Sequence, residues 1–284
     1  MEFYKLSNGN AIPKVALGTW QITDRETLLS VLDNAFKTGY SFIDTAAAYC
    51  NELSIGKSLL SLEIPRDKFF LSSKVWNTNR GYEQVQEACK NSLKKLKTDY
   101  LDSYLIHWPA SPKLHEDWEE LNAETWRGME QLYKDGLVRA IGVCNFKMHH
   151  FEALKKSCSI LPMILQTEFH PGMNSKELSE LISWCKNSKI VLEASSPLGN
   201  GQILQNEVIK EIAVQKQKST AQICLRYALQ KGFVIIPKSV NPERLKENIS
   251  VFDFSLSEEE MKKLDELPFC GGLNLDPDEV TQFE

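Results

Sequence analysis

Phe42-Ile43-Asp44-Thr45-Ala46-Ala47-Ala48-Tyr49 is an apolar run that climbs to an aspartate, followed by a turn of small residues that presents a tyrosine. A carboxylate at the end of a buried strand is costly unless something pairs with it. Two later apolar runs end in partners for it: Phe69-Phe70-Leu71-Ser72-Ser73-Lys74 and Tyr104-Leu105-Ile106-His107. Runs of this kind, each ending in a chemically active side chain, describe parallel strands whose ends share one face. Asp44, Tyr49, Lys74 and His107 are therefore expected to converge there and to move a proton.

Outward from that stretch the same unit repeats: a short apolar run, a turn, then an amphipathic helix. The runs 15–18, 41–43, 69–74, 101–106, 138–143, 163–166, 190–193 and 233–236 read as strands. Helices are expected over 25–37, 52–60, 82–96, 119–133, 149–157, 176–186, 220–231 and 242–249. Leu28, Val31, Leu32 and Ala35 share one face of the first, at the helical period. An extra helix, 204–215, follows the seventh strand. Before the first strand, 3–6 and 11–13 flank Asn8-Gly9 and read as a β-hairpin.

Strands separated by helices imply right-handed parallel crossovers. With no linker or composition break, residues 1–284 read as a single-domain α/β protein, a (β/α)8 TIM barrel. A doubly wound sheet is the alternative. Against it stands the missing G-x-G-x-x-G fingerprint: Gly199-Asn200-Gly201 starts it and Leu204 ends it.

Of the 284 residues, 42% are hydrophobic and 25% charged, with a net charge of -5 and no basic block. That balance argues against a nucleic-acid or anionic-membrane surface. No apolar run approaches the ~18 residues of a membrane span. Residues 1–7 lack the basic and apolar regions of a secretion signal. The seven cysteines are scattered and form no C-x-x-C pair, which points to neither zinc nor a disulfide framework. His115, His149, His150 and His170 lack metal-ligand spacing, so no metal is expected. A cytoplasmic protein fits this usage.

In such a barrel the C-terminal strand ends build the site. Here they carry Gly18-Thr19-Trp20, Asp44, Lys74, His107, Asn145, Gln166, Ser195-Ser196 and Lys238-Ser239, which describes a lined pocket. A Tyr hydroxyl, with an ordinary pKa of about 10, is a slow acid that a nearby ammonium should make more acidic. Lys74 can supply that charge, and Asp44 can hold Lys74 protonated and aimed. His107 can orient a carbonyl oxygen or join the relay. The set suits protonation of an oxygen that becomes an alcohol, with electrons from a bound cofactor. Each residue also has a plainer reading: Asp44 and Lys74 as a structural ion pair, His107 as a core histidine, Tyr49 as a packed ring. Lys74 as a Schiff-base nucleophile in an aldolase-type barrel is a further alternative. Trp20, Trp76 and Trp108 follow strand ends near Tyr49 and suggest a flat apolar mouth for substrate.

These residues resemble the aldo-keto reductase family along nearly the whole chain. The resemblance lies in Gly18-Thr19-Trp20, Ile43-Asp44-Thr45-Ala46 through Tyr49, Asn51-Glu52, Ser73-Lys74-Val75-Trp76, Leu105-Ile106-His107-Trp108-Pro109, Asn145-Phe146, Gln166 through His170-Pro171, Pro197-Leu198-Gly199, and Pro237-Lys238-Ser239 with Arg244 and Glu247-Asn248. It implies NADPH-dependent reduction of an aldehyde or ketone, with Tyr49 as acid, Lys74 and Asp44 as its tuning pair, and His107 at the carbonyl. It places the nicotinamide carboxamide near Cys144, Asn145 and Gln166, and Gly18, Thr19 and Asp44 at the nicotinamide ribose. The pyrophosphate would lie under the loop 196–201, which holds Ser196, Leu198 and Gly199, and Ser195 would face the nicotinamide. Lys238, Ser239 and Arg244 would take the 2'-phosphate, with Glu247 and Asn248 at the adenosine end. Trp20, Tyr49, Trp76, His107 and Trp108 would hold the substrate. The short loop 110–117 and the short polar tail from 269 resemble the monomeric bacterial and protist-type small-carbonyl reductases.

Three positions depart from the family pattern. Cys144 stands where a Ser is usual, Leu165 where an Asn is frequent, and Ser195 where an aromatic ring commonly stacks on the nicotinamide. Loss of that ring predicts a loosely held nicotinamide. It also leaves open a second reading, an NADPH-binding sensor or partner-binding barrel with little turnover.

Overall fold

The computed structural model describes residues 2–279. The hairpin forms as the Asn-Gly turn predicts. β1 (Phe3–Lys5) and β2 (Ala11–Pro13) pair antiparallel with Tyr4 opposite Ile12, and Gly9 takes the positive φ of +92° that the turn requires. Asn8 Nδ2 donates to Arg139 O at 2.9 Å. Arg139 precedes a barrel strand, so the hairpin lies across the N-terminal end of the barrel, away from the strand ends that matter for chemistry.

Eight parallel strands follow in sequential order: β3 (Leu17–Gly18), β4 (Phe42–Asp44), β5 (Phe70–Val75), β6 (Ser103–Ile106), β7 (Ile141–Cys144), β8 (Ile164–Glu168), β9 (Val191–Ser195) and β10 (Phe233–Ile235). Val15 bridges Ile235 in parallel, and Gly18 N donates to Pro237 O at 3.0 Å. Those contacts close the sheet on itself, so the barrel reading holds and the doubly wound alternative does not. Four strands are shorter than expected: the first, the fourth, the fifth, which starts at Ile141, and the eighth, which ends at Ile235. The first keeps only the Val15 bridge below Leu17. In the fourth, Leu101 bridges Val138, and the Asp102 carboxylate takes Leu71 N at 2.9 Å and Arg66 Nη2 at 2.6 Å, interrupting the ladder.

The helices ring the barrel. α1 (Arg25–Thr38) starts where Asp24 accepts from Thr27 N at 2.7 Å and stops at Gly39, which has a φ of 99°. Its buried face is the expected Leu28, Val31, Leu32 and Ala35. α2 (Glu52–Ser61), α3 (Tyr82–Leu96), α4 (Trp118–Lys134), α5 (Met148–Lys155) and α6 (Lys176–Asn187) follow in the expected places. The extra helix after the seventh barrel strand is α7 (Glu207–Lys216), capped by Asn206. A tight turn, Gly199–Gln205, precedes it, where Asn200 and Gly201 break helical geometry. α8 (Thr220–Gln230) and α9 (Pro242–Ile249) complete the expected set.

One further helix, α10 (Glu258–Asp265), is absent from the sequence reading. Its signal is local all the same, a capping box formed by Ser257 and Glu260. Leu264 is its buried anchor, and Tyr227 donates to Asp265 Oδ1 at 2.7 Å.

Candidate active site

The reactive end is built by β4, β5 and the turn between β4 and α2. Lys74, on β5, is fully sealed, and its Nζ lies 2.7 Å and 2.9 Å from the two carboxylate oxygens of Asp44. The same ammonium donates to Thr45 O at 2.9 Å and to the Tyr49 hydroxyl at 3.5 Å. Tyr49 therefore accepts from Lys74, and its own proton is left to point elsewhere. A short turn, Ala47–Tyr49, presents the ring. Asn51 staples that turn: it accepts from Thr45 Oγ1 at 2.8 Å and donates to Thr19 O at 2.8 Å and Ile22 O at 3.1 Å.

His107 follows β6, with its ring edge-on to Tyr49 at 5.7 Å and to Trp76 at 5.1 Å. Asn145 Nδ2 donates to His107 O at 2.9 Å, tying the ends of β6 and β7 together. Gln166 Nε2 donates to Asp44 Oδ2 at 3.1 Å and to Glu193 Oε2 at 2.7 Å. The four residues expected to converge do so.

The electrostatics differ from the expectation at one point. Tyr49 is not made more acidic. Burial, the largest cause, lifts its pKa to about 12, and the Lys74 ammonium only partly offsets this while Asp44 adds to the rise. The hydroxyl is a neutral donor. Burial works against the Lys74 ammonium, but Asp44 and Tyr49 outweigh it and hold it well above the ordinary lysine value. A sealed, cationic amine is no nucleophile, which removes the Schiff-base alternative. Burial, then Lys74, pushes His107 well below its usual range, so the imidazole is neutral. Burial keeps Cys144 a thiol.

Above these groups opens a cavity of about 1250 Å³. It brings together Trp20, Tyr49, Trp76, His107, Trp108, Asn145, Gln166, Ser195 and Ser196, all expected site residues. Gly18, Thr19, Asp44, Lys74 and Cys144 lie buried beneath it; Thr19 Oγ1 donates to Asp44 O at 2.9 Å. Leu165 is fully buried in the core. Leu198 and Gly199 belong to the turn beyond β9, where Gly199 N donates to Ser196 O at 2.8 Å.

Lys238, Ser239 and Arg244 stand around the start of α9, and Glu247 and Asn248 in its last turn, all outside the cavity lining. Lys238 and Arg244 are exposed, and Asn241 caps the helix by accepting from Glu243 N at 2.9 Å and Arg244 N at 3.2 Å. Ser239 Oγ accepts from Asn241 N at 3.1 Å. Glu247 is engaged by the Ser219 hydroxyl, and Asn248 is buried. A Cβ on Gly18 would stand 3.5 Å from the Lys238 Cβ, so this group adjoins the first strand end. Of the other tryptophans, Trp126 is core, donating to Ile160 O at 2.9 Å. Trp118 packs edge-on to His149 and His150 at 5.6 Å and 5.3 Å.

Several cavity residues carry no sequence signal. Glu168 accepts from Leu273 N at 2.8 Å and Asn274 N at 2.7 Å, strapping the tail over the mouth. Lys147 pairs with Asp276 and, at 2.8 Å, with Asp278, pinning the same tail from the other side. His149, His150 and Asp278 also bring ligand atoms within 4.8 Å of one another, a grouping that the spacing does not foresee. His150 Nδ1 accepts from Lys147 N at 3.0 Å, so the neutral ring carries its proton on Nε2, the atom that faces Asp278. Glu193 does have a signal, a carboxylate inside an apolar strand.

The Aldo/keto reductase family profile matches residues 14–268. The chain belongs to that family. This aldo/keto reductase is 45% identical over 276 residues to glyoxal reductase of Bacillus subtilis (strain 168), covering 97% of this chain and 96% of that protein. It is 39% identical over 277 residues to methylglyoxal reductase DkgA of Escherichia coli (strain K12), covering 97% and 96% of the two chains. Among solved structures, the Bombyx mori aldo-keto reductase AKR2E4, in complex with NADP, superposes with a TM-score of 0.83 at 34% identity, over 93% of this chain and 92% of that one. Among the described residues, no helix of this aldo/keto reductase is long and apolar enough to cross a membrane.

Proposed function

We propose that the chain reduces small aldehydes and ketones with NADPH, α-oxoaldehydes of the glyoxal and methylglyoxal kind foremost. The observation that carries this reading is the buried line Asp44–Lys74–Tyr49 ending beside His107 at the floor of the cavity. Membership in the family and relatives named for glyoxal and methylglyoxal reduction support the substrate class. A reductase cofactor supplies the hydride to the carbonyl carbon.

The residues of the chain supply the rest. Tyr49 gives its proton to the carbonyl oxygen, because its own oxygen already accepts from Lys74. Lys74 stabilises the phenolate left behind, and Asp44 keeps Lys74 charged and aimed. Neutral His107 orients the carbonyl without adding a second charge. Trp20, Trp76 and Trp108 exclude water from a flat, small substrate.

The cofactor's fit rests on donor chemistry present in the chain. Asn145 and Gln166 offer amides at the cavity, Ser195 and Ser196 lead into the bent turn at Gly199, and the exposed Lys238 and Arg244 flank the α9 N-terminus. Guanidinium, ammonium and helix dipole together favour a phosphate dianion, hence NADPH over NADH. The test is NADPH absorbance with a panel of methylglyoxal, glyoxal and simple ketones, on wild type and Tyr49→Phe. Tyr49→Phe should bind NADPH but turn over at least about a hundredfold slower, the loss of a general acid. Undiminished turnover in that variant would refute the assignment.

A further inference from the structure

Glu193 is a buried titratable group for which the reaction above has no task. Its side chain is fully sealed, and the β8–β9 register sets it beside Gln166. Its Oε2 accepts from Gln166 Nε2 at 2.7 Å, whereas its Oε1 has no partner. The same Gln166 nitrogen donates to Asp44 Oδ2 at 3.1 Å. A primary amide has two N–H donors, and here both are spent on carboxyl groups. What Gln166 keeps for a ligand at the cavity is its carbonyl oxygen, an acceptor.

We propose that Glu193 is a positioning residue, which locks the Gln166 amide with its oxygen free for the carboxamide NH2 of the cofactor and exchanges its own proton according to the charge of the nicotinamide. The inference rests on the reading that Gln166 meets the nicotinamide end of NADPH.

A carboxylate with a single hydrogen bond is expensive in this interior. Asp44 stands on the other side of the same amide, so two ionised groups would repel across it. Burial and then Asp44 raise Glu193 to about 7, against the opposing pull of Gln166 and Lys74. The acid carries its proton on Oε1, because Oε2 accepts from Gln166. The charged and titratable groups facing it are Asp44 from β4, Lys74 from β5 and Cys144 from β7. Lys74 stays an ammonium and Cys144 a thiol through neutral pH. Oxidised nicotinamide bears a positive charge that the reduced ring lacks, so ionised Glu193 favours NADP+ and the neutral acid does not. Reciprocally, NADP+ draws the proton off Glu193.

Tryptophan-fluorescence titrations of NADP+ and NADPH at about pH 6 and about pH 8.5 test this. Titration of the 2'-phosphate cancels in the ratio of the two affinities. In wild type the ratio should move toward NADP+ by about three- to tenfold as pH rises, the reach of one buried charge across a few side chains. In Glu193→Gln it should stay flat. A flat ratio in wild type overturns the proposal, whether or not the variant folds. Melting of the cofactor-free protein gives a second readout. A carboxyl with a raised folded pKa holds a proton that the unfolded chain releases, so wild type should lose stability relative to Glu193→Gln between about pH 5 and about pH 8. A constant difference in Tm across that range also overturns it. Gln166→Ala separates the two layers: unchanged affinity for both cofactors refutes the site reading. Weakened affinity in Gln166→Ala, with a pH-dependent ratio kept in Glu193→Gln, refutes the role of Glu193 alone.

Discussion

Lys74 Nζ sits 2.7 Å from Asp44 Oδ1, and both side chains are sealed from solvent. Removing one partner of a buried pair strands the other charge, at a cost of about 3–5 kcal/mol. Lys74→Met should therefore melt well below wild type as well as lose turnover. The double variant Asp44→Asn/Lys74→Met strands no charge and should recover most of the stability but none of the activity. If thermal melts show the double variant no more stable than the single, the pair is not the origin of the loss.

Tyr49 carries its proton until pH rises through about 12, and His107 stays neutral through the ordinary range. A donor must be protonated to act, so the acid limb of this group lies above the working range. In single-turnover experiments, where release of the oxidised cofactor does not enter, the rate of the chemical step with a small aldehyde should show no falling limb between about pH 6 and about pH 9. A pH–rate profile with a descending limb centred in that window would contradict the burial argument.

Arg244 stands exposed in the first turn of α9 beside the Asn241 cap. A charge-assisted hydrogen bond is worth about 1.5–3 kcal/mol, and about 1.4 kcal/mol is tenfold in affinity. Arg244→Ala should weaken NADPH by roughly ten- to a hundredfold and leave NADH nearly unchanged. Titration of both cofactors is the check; equal losses would move the 2'-phosphate elsewhere.

The barrel and its reactive end are legible because Asp44, Lys74 and His107 each break an apolar run, a pattern local to a few residues. Lys238 and Arg244 are legible for the same reason, as cations around one helix start. The tail clasp is not: Glu168 meets Leu273 across 105 positions, and no period or motif links them. The sign of the Tyr49 shift was also out of reach. It is a contest between burial and an ammonium, and only the folded packing shows which wins. Glu193 lies between these cases, since its charge interrupts a strand as Asp44 does, but it sits before the strand end rather than at it.

Glu168 holds Leu273 and Asn274 by two backbone hydrogen bonds, with His170 Nε2 at 3.6 Å. Burial works to raise its pKa, but His170 and those amides outweigh it and hold the carboxyl below its ordinary range. A lowered carboxyl contributes stability that is present above the unfolded value and lost as pH falls through the folded one. The clasp should thus hold at neutral pH and loosen in acid. Glu168→Ala should open the segment around Leu273 at neutral pH, by about 2–3 kcal/mol for the lost charge-assisted bonds. The pin at Lys147 and Asp278 remains, so the melting temperature should hardly move. Hydrogen exchange at Leu273 and Asn274 reads this directly; unchanged protection would show that the tail is held by other contacts.

Ser195 ends β9 with its side chain at the cavity, half-buried and next to Ser196. On the proposed placement of the cofactor, a serine here offers the nicotinamide no face to stack on. Stacking of a base on an aromatic side chain is worth ~1–3 kcal/mol. Ser195→Tyr should accordingly bind NADPH roughly five- to a hundredfold tighter, chiefly through slower dissociation. Where release of the oxidised cofactor limits turnover, the same variant should lower kcat while sharpening affinity. The natural serine then reads as a choice for rapid cofactor exchange over retention. Stopped-flow fluorescence on both proteins separates association from dissociation. Unchanged or weaker NADPH binding in Ser195→Tyr would mean that the ring at this position never reaches the nicotinamide.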